Sequence, residues 1–135
     1  MIPILKRCAL IASVVFLSGC MAAVQPMESA SLPPTTLTSG MMAATKEAVA
    51  SQLKDPYSAQ YENLRAYRKD VATFAICGRV NAKNSYGGYV GSVPFIAYVG
   101  AGANQKAGQY FPINATVFEG TNENFFYQLI PLCAP

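Results

Sequence analysis

From residue 40 onward the apolar positions change period several times, and each change marks an element. Met42, Val49 and Leu53 recur at helical spacing, with Thr45 and Lys46 flanking them and Glu47, Ser51 and Lys54 on the opposite side. This predicts a helix from about Gly40 to Lys54, capped by Thr38 or Ser39 and ended by Asp55-Pro56, because proline disfavours helical backbone in the residue before it. Gln60–Arg68 alternates weakly as a strand, and Lys69-Asp70 is a turn candidate. Val71–Val80 is the strongest strand: Ala72, Phe74, Ile76, Gly78 and Val80 are all small or apolar, and the other face stays largely apolar until Arg79. A strand buried on both faces belongs in the middle of a sheet. A third strand is expected over Val93–Val99, with Pro94 placing it at an edge or strand end. A fourth is expected over Gln109–Glu119, with Phe111, Ile113, Ala115 and Val117 sharing one face. The glycine-rich stretches Asn81–Gly91 and Gly100–Gly108 are loops between them. Thr121 can cap a short helix over Asn122–Ile130, which Pro131 stops. The pattern amounts to an α+β domain: a small, mainly antiparallel sheet of about four strands, an N-terminal helix and a short C-terminal helix.

The chain upstream follows a different logic. Lys6 and Arg7 precede an apolar run of ten residues, Cys8–Leu17. As a helix this run spans about 15 Å, half of a bilayer core of about 30 Å, so it has the shape of an export signal rather than of a membrane span. It ends in Leu17-Ser18-Gly19-Cys20, which resembles the bacterial lipobox. The resemblance implies recognition of Leu17, Ser18 and Gly19 by the lipoprotein signal peptidase and attachment of diacylglyceryl and acyl chains to Cys20. Two or more chains on one residue are enough for stable anchoring. By similarity to Gram-negative lipoproteins, Met21, which is not Asp, implies the periplasmic face of the outer membrane. Ala22–Ser39 is rich in Pro, Ser, Thr and Ala and has the composition of a tether, although Leu32 or Leu37 could pack part of it on the domain as an extended arm. The expected organisation is therefore a signal over 1–19, a lipidated Cys20 with its tether over 20–39, and one domain over 40–135.

Charge and cysteine content sharpen this picture. The formal net charge is +3, but Lys6 and Arg7 belong to the signal, leaving eight basic residues against seven acidic ones. That balance gives no electrostatic footprint for nucleic acid. Cys8 leaves with the signal and Cys20 is taken by lipid. Cys77 and Cys133 remain, an even pair that in an oxidising compartment is expected to form a disulfide between the central strand and the C-terminal tail.

The catalytic inventory is thin. The chain has no histidine, so a Ser-His-Asp triad and imidazole metal ligands are excluded. Ser51-Gln52-Leu53-Lys54 has the S-x-x-K spacing of penicillin-binding proteins, but the partner motifs S-D-N and K-T-G are missing. Gly100-Ala101-Gly102 begins like a dinucleotide fingerprint, yet Gln105 stands where the third glycine belongs. The seven acidic residues are scattered, without the spacing of a carboxylate pair or a calcium loop. The expectation is a protein without catalytic residues, metal or cofactor.

The most distinctive stretch runs from Cys77-Gly78-Arg79-Val80-Asn81-Ala82-Lys83-Asn84 to Ser85-Tyr86-Gly87-Gly88-Tyr89-Val90-Gly91. With Leu53-Lys54-Asp55-Pro56-Tyr57-Ser58-Ala59-Gln60-Tyr61 before it, it resembles small exported bacterial envelope proteins, some of them lipoproteins, over about residues 50–98. The resemblance brings a class and no activity. Asn81 and Asn84 can form side-chain turns, and Gly87 and Gly88 can take backbone conformations closed to other residues. Lys83, Asn84, Tyr86 and Tyr89 form the candidate contact loop, since tyrosine offers large contact area at low entropic cost. The expected partners are membrane lipid through Cys20 and an envelope protein or peptidoglycan through the loop. An exclusion lipoprotein acting against phage or plasmid uptake, or an accessory lipoprotein of a secretion apparatus, are alternative roles.

Overall fold

The computed structural model describes residues 32–102 and 108–135. Leu17, Ser18, Gly19 and Cys20, the signal and most of the expected tether lie outside the described residues. The domain is α+β. Strands β1 (Pro34–Thr35), β2 (Asp55–Arg68), β3 (Thr73–Lys83), β4 (Val93–Gly100) and β5 (Phe111–Val117) form one sheet in the order β1-β2-β3-β4-β5, and every pair is antiparallel. Helix α1 (Ser39–Ala50) precedes β2, helix α2 (Glu123–Leu129) follows β5, and a single 3-10 turn (Pro131–Cys133) ends the fold. Among the described residues no helix is long and apolar enough to cross a membrane.

The sheet has five strands, one more than expected. The addition is β1, two residues of the expected tether that pair with Ala66 and Tyr67, while Leu37 packs on the helix-side core and Leu32 on the opposite one. The segment is an arm on the domain from Leu32 onward. Its strand is too short to leave a period in the sequence.

β3 occupies the centre of the sheet. Phe74, Ile76 and Val80 face α1 with Phe95, Ala97 and Val99 of β4, while Ala75 and Cys77 face the C-terminal segment with Ile96, Phe126 and Cys133. Thr38 caps α1, its Oγ1 accepting from the Met41 N–H at 3.2 Å. The helix stops at Ala50, short of the expected Lys54, and its buried stripe is Met41, Ala44, Thr45, Ala48 and Val49. The stripe is rotated from the expected Met42-Val49-Leu53 line because alanines, weak in a hydropathy pattern, let the helix approach the sheet closely. Gly40 shows how closely: a Cβ there would come within 2.1 Å of the Gly108 carbonyl oxygen.

Two bulges re-aim side chains. Between Glu62 and Arg65 the extra residue is Asn63, at φ 54°, a left-handed conformation that Asn tolerates. It places Leu64 over Gly78, where a Cβ would lie 2.5 Å from the Leu64 Cδ2. Between Ala115 and Phe111 the register skips Ile113, so Phe111 pairs with Gly100 and turns to the face opposite Ala115 and Val117. The expected four-residue alternation therefore breaks at Ile113. The Phe111 ring covers the space a Gly100 side chain would fill.

The β2–β3 turn is held by Asp70, whose Oδ1 accepts from the Ala72 N–H at 2.9 Å and the Thr73 N–H at 2.8 Å. Val71, expected in β3, stands exposed in this turn. The Ala72 amide, with the Thr73 bonds and the charge of Lys69 as smaller contributors, holds the Asp70 carboxyl below its ordinary value of 3.8. A carboxyl depressed on folding contributes stability above its unfolded pKa, and that contribution is lost as pH falls through the folded one. Asp70→Asn is therefore expected to flatten the acid limb of the stability curve below about pH 4. Denaturant midpoints from pH 2 to 6 test this; an unchanged acid limb would refute it.

Candidate functional site

The β3–β4 connection is built from its own polar groups. The Asn84 N–H donates to the Gly88 carbonyl at 2.9 Å, and the Gly87 N–H returns to the Asn84 carbonyl at 3.0 Å. The Asn84 Oδ1 accepts from the backbone N–H of Tyr86 at 2.9 Å and of Gly88 at 3.2 Å. Asn84 is thus the staple of the turn. Gly87 and Gly91 take positive φ, 81° and 101°, while Gly88, expected to do so, keeps an ordinary φ. Asn81 is not in a turn: it lies within β3, paired with Gln60, and its Oδ1 is buried without a hydrogen-bond partner.

The two tyrosines have different fates. Tyr89 is half-exposed, at 46 %, and its phenol donates to the Ser58 carbonyl at 3.1 Å and accepts from the Gln60 Nε2 at 3.4 Å. Its ring lies under the Lys83 ammonium, 5.5 Å from Nζ to the ring centroid, a cation–π arrangement. Lys83 also bridges to Tyr89 through the backbone, and its N–H donates to the Ser58 Oγ at 2.8 Å. Ser58 in turn donates to the Asp55 carbonyl at 2.8 Å, so the start of β2 braces the loop. Tyr86, by contrast, is 97 % exposed. Of the four candidate contacts, Lys83, Asn84 and Tyr89 hold the loop, and Tyr86 is the one it presents.

Beside Tyr86 opens a cleft of about 230 Å³ between the loop and the end of α1, lined by Leu53, Lys54, Val90, Val93 and Glu119. The sequence makes none of these five a candidate contact residue, because they come from three separated stretches. A larger cleft of about 520 Å³ lies under the C-terminal segment, beside Arg65, Arg79, Phe126 and Tyr127. Its two arginines are engaged: Arg79 pairs with Glu123 and, at 3.7 Å, with Glu62, and Arg65 donates to the Cys133 and Ala134 carbonyls at 2.6 Å each. The S-x-x-K serine is structural as well, since the Ser51 Oγ donates to the Ala48 carbonyl at the helix end.

The Sγ atoms of Cys77 and Cys133 lie at bonding distance and their Cα atoms 5.4 Å apart, within the span of a disulfide. The pair joins the central strand to the C-terminal turn across 56 residues.

No family model, curated protein or solved structure matches this chain.

Proposed function

We propose that this chain is a non-enzymatic, lipid-anchored envelope protein of the periplasm, held to the outer membrane through Cys20, that presents the Tyr86 loop to an envelope protein or to peptidoglycan. The supporting observation is the placement of that loop. The chain joins the domain at Leu32 and β1, beside Tyr67 and the start of β3. The loop leaves from the other end of β3, eleven residues on, or about 35 Å at 3.3 Å per residue. A rigid strand therefore separates attachment from presentation. The absence of histidine and the engagement of Cys77 with Cys133 support a binding role over a catalytic one.

Two variants test the two halves of this reading. Cys20→Ser is expected to move the protein from the membrane fraction to the soluble fraction; unchanged membrane retention would refute the anchor. Tyr86→Ala leaves the Asn84 turn and the Tyr89 brace in place, so it is expected to fold normally and to lose the partner captured by crosslinking in intact cells. Equal capture by both proteins would refute the loop.

A further inference from the structure

Helix α2 buries Phe126 against Phe118, Ile96 and the Cys77–Cys133 pair, yet leaves two large apolar side chains outside. Phe125 is 54 % exposed and Leu129 55 % exposed. They are four residues apart, so they share one flank of the helix. The stretch around them, Asn124–Pro135, contains no charged side chain at all. Two large apolar side chains side by side in an uncharged stretch form a candidate contact surface.

What covers it follows from where the chain arrives. Leu32, the first described residue, packs into this same core with Phe126 and Cys133. Eleven residues, 21–31, separate it from Cys20. Covalent geometry limits the reach of such a spacer to about 40 Å. Whatever lies at Cys20 is thereby held at high effective concentration next to α2. Aromatic residues and a lysine share this face of the sheet: Tyr67, Tyr98 and Tyr127 pack against the same core, and the Lys69 Nζ lies 4.9 Å from the Tyr98 ring centroid. Tyrosine and lysine side chains with an apolar body and a polar tip suit the level of lipid headgroups.

We infer that the flank of α2 carrying Phe125 and Leu129 rests on the lipid bilayer that holds Cys20. The inference depends on the anchor proposed above. Two side chains give weak membrane affinity by themselves, and the acylated cysteine supplies the second signal that makes docking persistent. Docked in this way, the sheet lies along the bilayer, α1 faces the periplasm and the Tyr86 loop stays free at the rim of the domain.

The chain contains no tryptophan, so a single introduced indole is an unambiguous reporter. Phe125→Trp places it on the flank; Tyr57→Trp places a control on the fully exposed start of β2, beside α1. Each full-length protein, isolated from membranes, is reconstituted into phosphatidylethanolamine–phosphatidylglycerol vesicles with or without brominated acyl chains. Bromine is expected to quench the indole at 125 by about twofold and to leave the one at 57 unchanged, as shallow insertion of one helix flank requires. Equal emission from residue 125 in both vesicles overturns the docking. A blue shift that grows with protein concentration in the absence of vesicles also overturns it, assigning the flank to a second copy of the chain. Intact mass, read on the same samples, reports acylation separately: an acylated chain without quenching refutes the docking alone, and a chain without acyl mass that stays in solution refutes the anchor and the docking together.

Discussion

Reducing the Cys77–Cys133 pair is expected to cost the domain about 4 kcal/mol, the chain-entropy value for a loop of this length. The bond closes 56 residues, more than half of the folded part. In a domain of fewer than 100 ordered residues, with total stability of order 5–15 kcal/mol, this loss corresponds to a fall in Tm on the order of 20 °C. Both cysteines are almost wholly buried, so reductant alone acts slowly under native conditions and the change appears once the C-terminal segment opens. Arg65 is a remaining clasp, beside the Arg79–Glu123 pair and buried Phe126. Its two charge-assisted bonds to the Cys133 and Ala134 carbonyls keep the segment near the sheet after reduction. Denaturant titrations of oxidised and pre-reduced protein measure the difference. Coincident midpoints would mean that the two sulfurs are free thiols.

The second large effect is expected at Phe95. It is fully buried on the helix side of β4, one of two fully buried phenylalanines, with Phe126 on the opposite face. Gly78 on the paired strand leaves room for its ring, Leu64 closes that space from β2, and Tyr61 meets it edge-on at 6.0 Å. Phe95→Ala empties the junction of three strands, and the neighbours that would have to collapse into the space are held by backbone pairing on both sides. The expected cost is about 3–5 kcal/mol. Urea titration should show a lower midpoint with an unchanged slope. Phe125→Ala, on the exposed flank of α2, is the matched control and is expected to change little in the absence of membrane. A Phe95 variant no weaker than that control would refute this account of the core.

These two sites show what the sequence makes legible. The central position of β3 can be read because both of its faces are apolar until Arg79, and no solvent-facing strand has that pattern. The pairing of Cys77 with Cys133 follows from counting. The Asn84 turn is legible because an Asx residue bonds only two to four positions away. The remainder depends on contacts remote in sequence. The skip at Ile113 is set by the pairing of β5 with β4, so local alternation places Phe111 on the wrong face. The brace on Tyr89 comes from Ser58, 31 residues earlier, which made a structural tyrosine look like a free one. The phase of α1 is hidden because Ala44 and Ala48 fill its contact with the sheet, and a hydropathy pattern gives alanine little weight. Of the four loop residues, Tyr86 alone is almost fully exposed, as its position in a glycine-rich loop suggests.

The order of strands in the sheet is the order of strands in the chain. Every pairing closes a single connection between consecutive strands, and the longest, between β1 and β2, is spanned by α1. Pairing strands that are adjacent in the chain closes short loops and so loses little entropy. The packing of α1 on β4 and β5 and the docking of the C-terminal strap are the non-local steps. The strap comes last. It returns from beyond β5 to the middle strand and can bind only a surface that β2, β3 and β4 have already made. A chain emerging N-terminus first can therefore assemble its sheet strand by strand, with Cys77 waiting open on the finished face until Cys133 arrives to seal it. Thiol trapping during refolding reads that order directly: sheet signal should precede the loss of reactive cysteine, and the reverse sequence would show that the strap guides the sheet instead of sealing it.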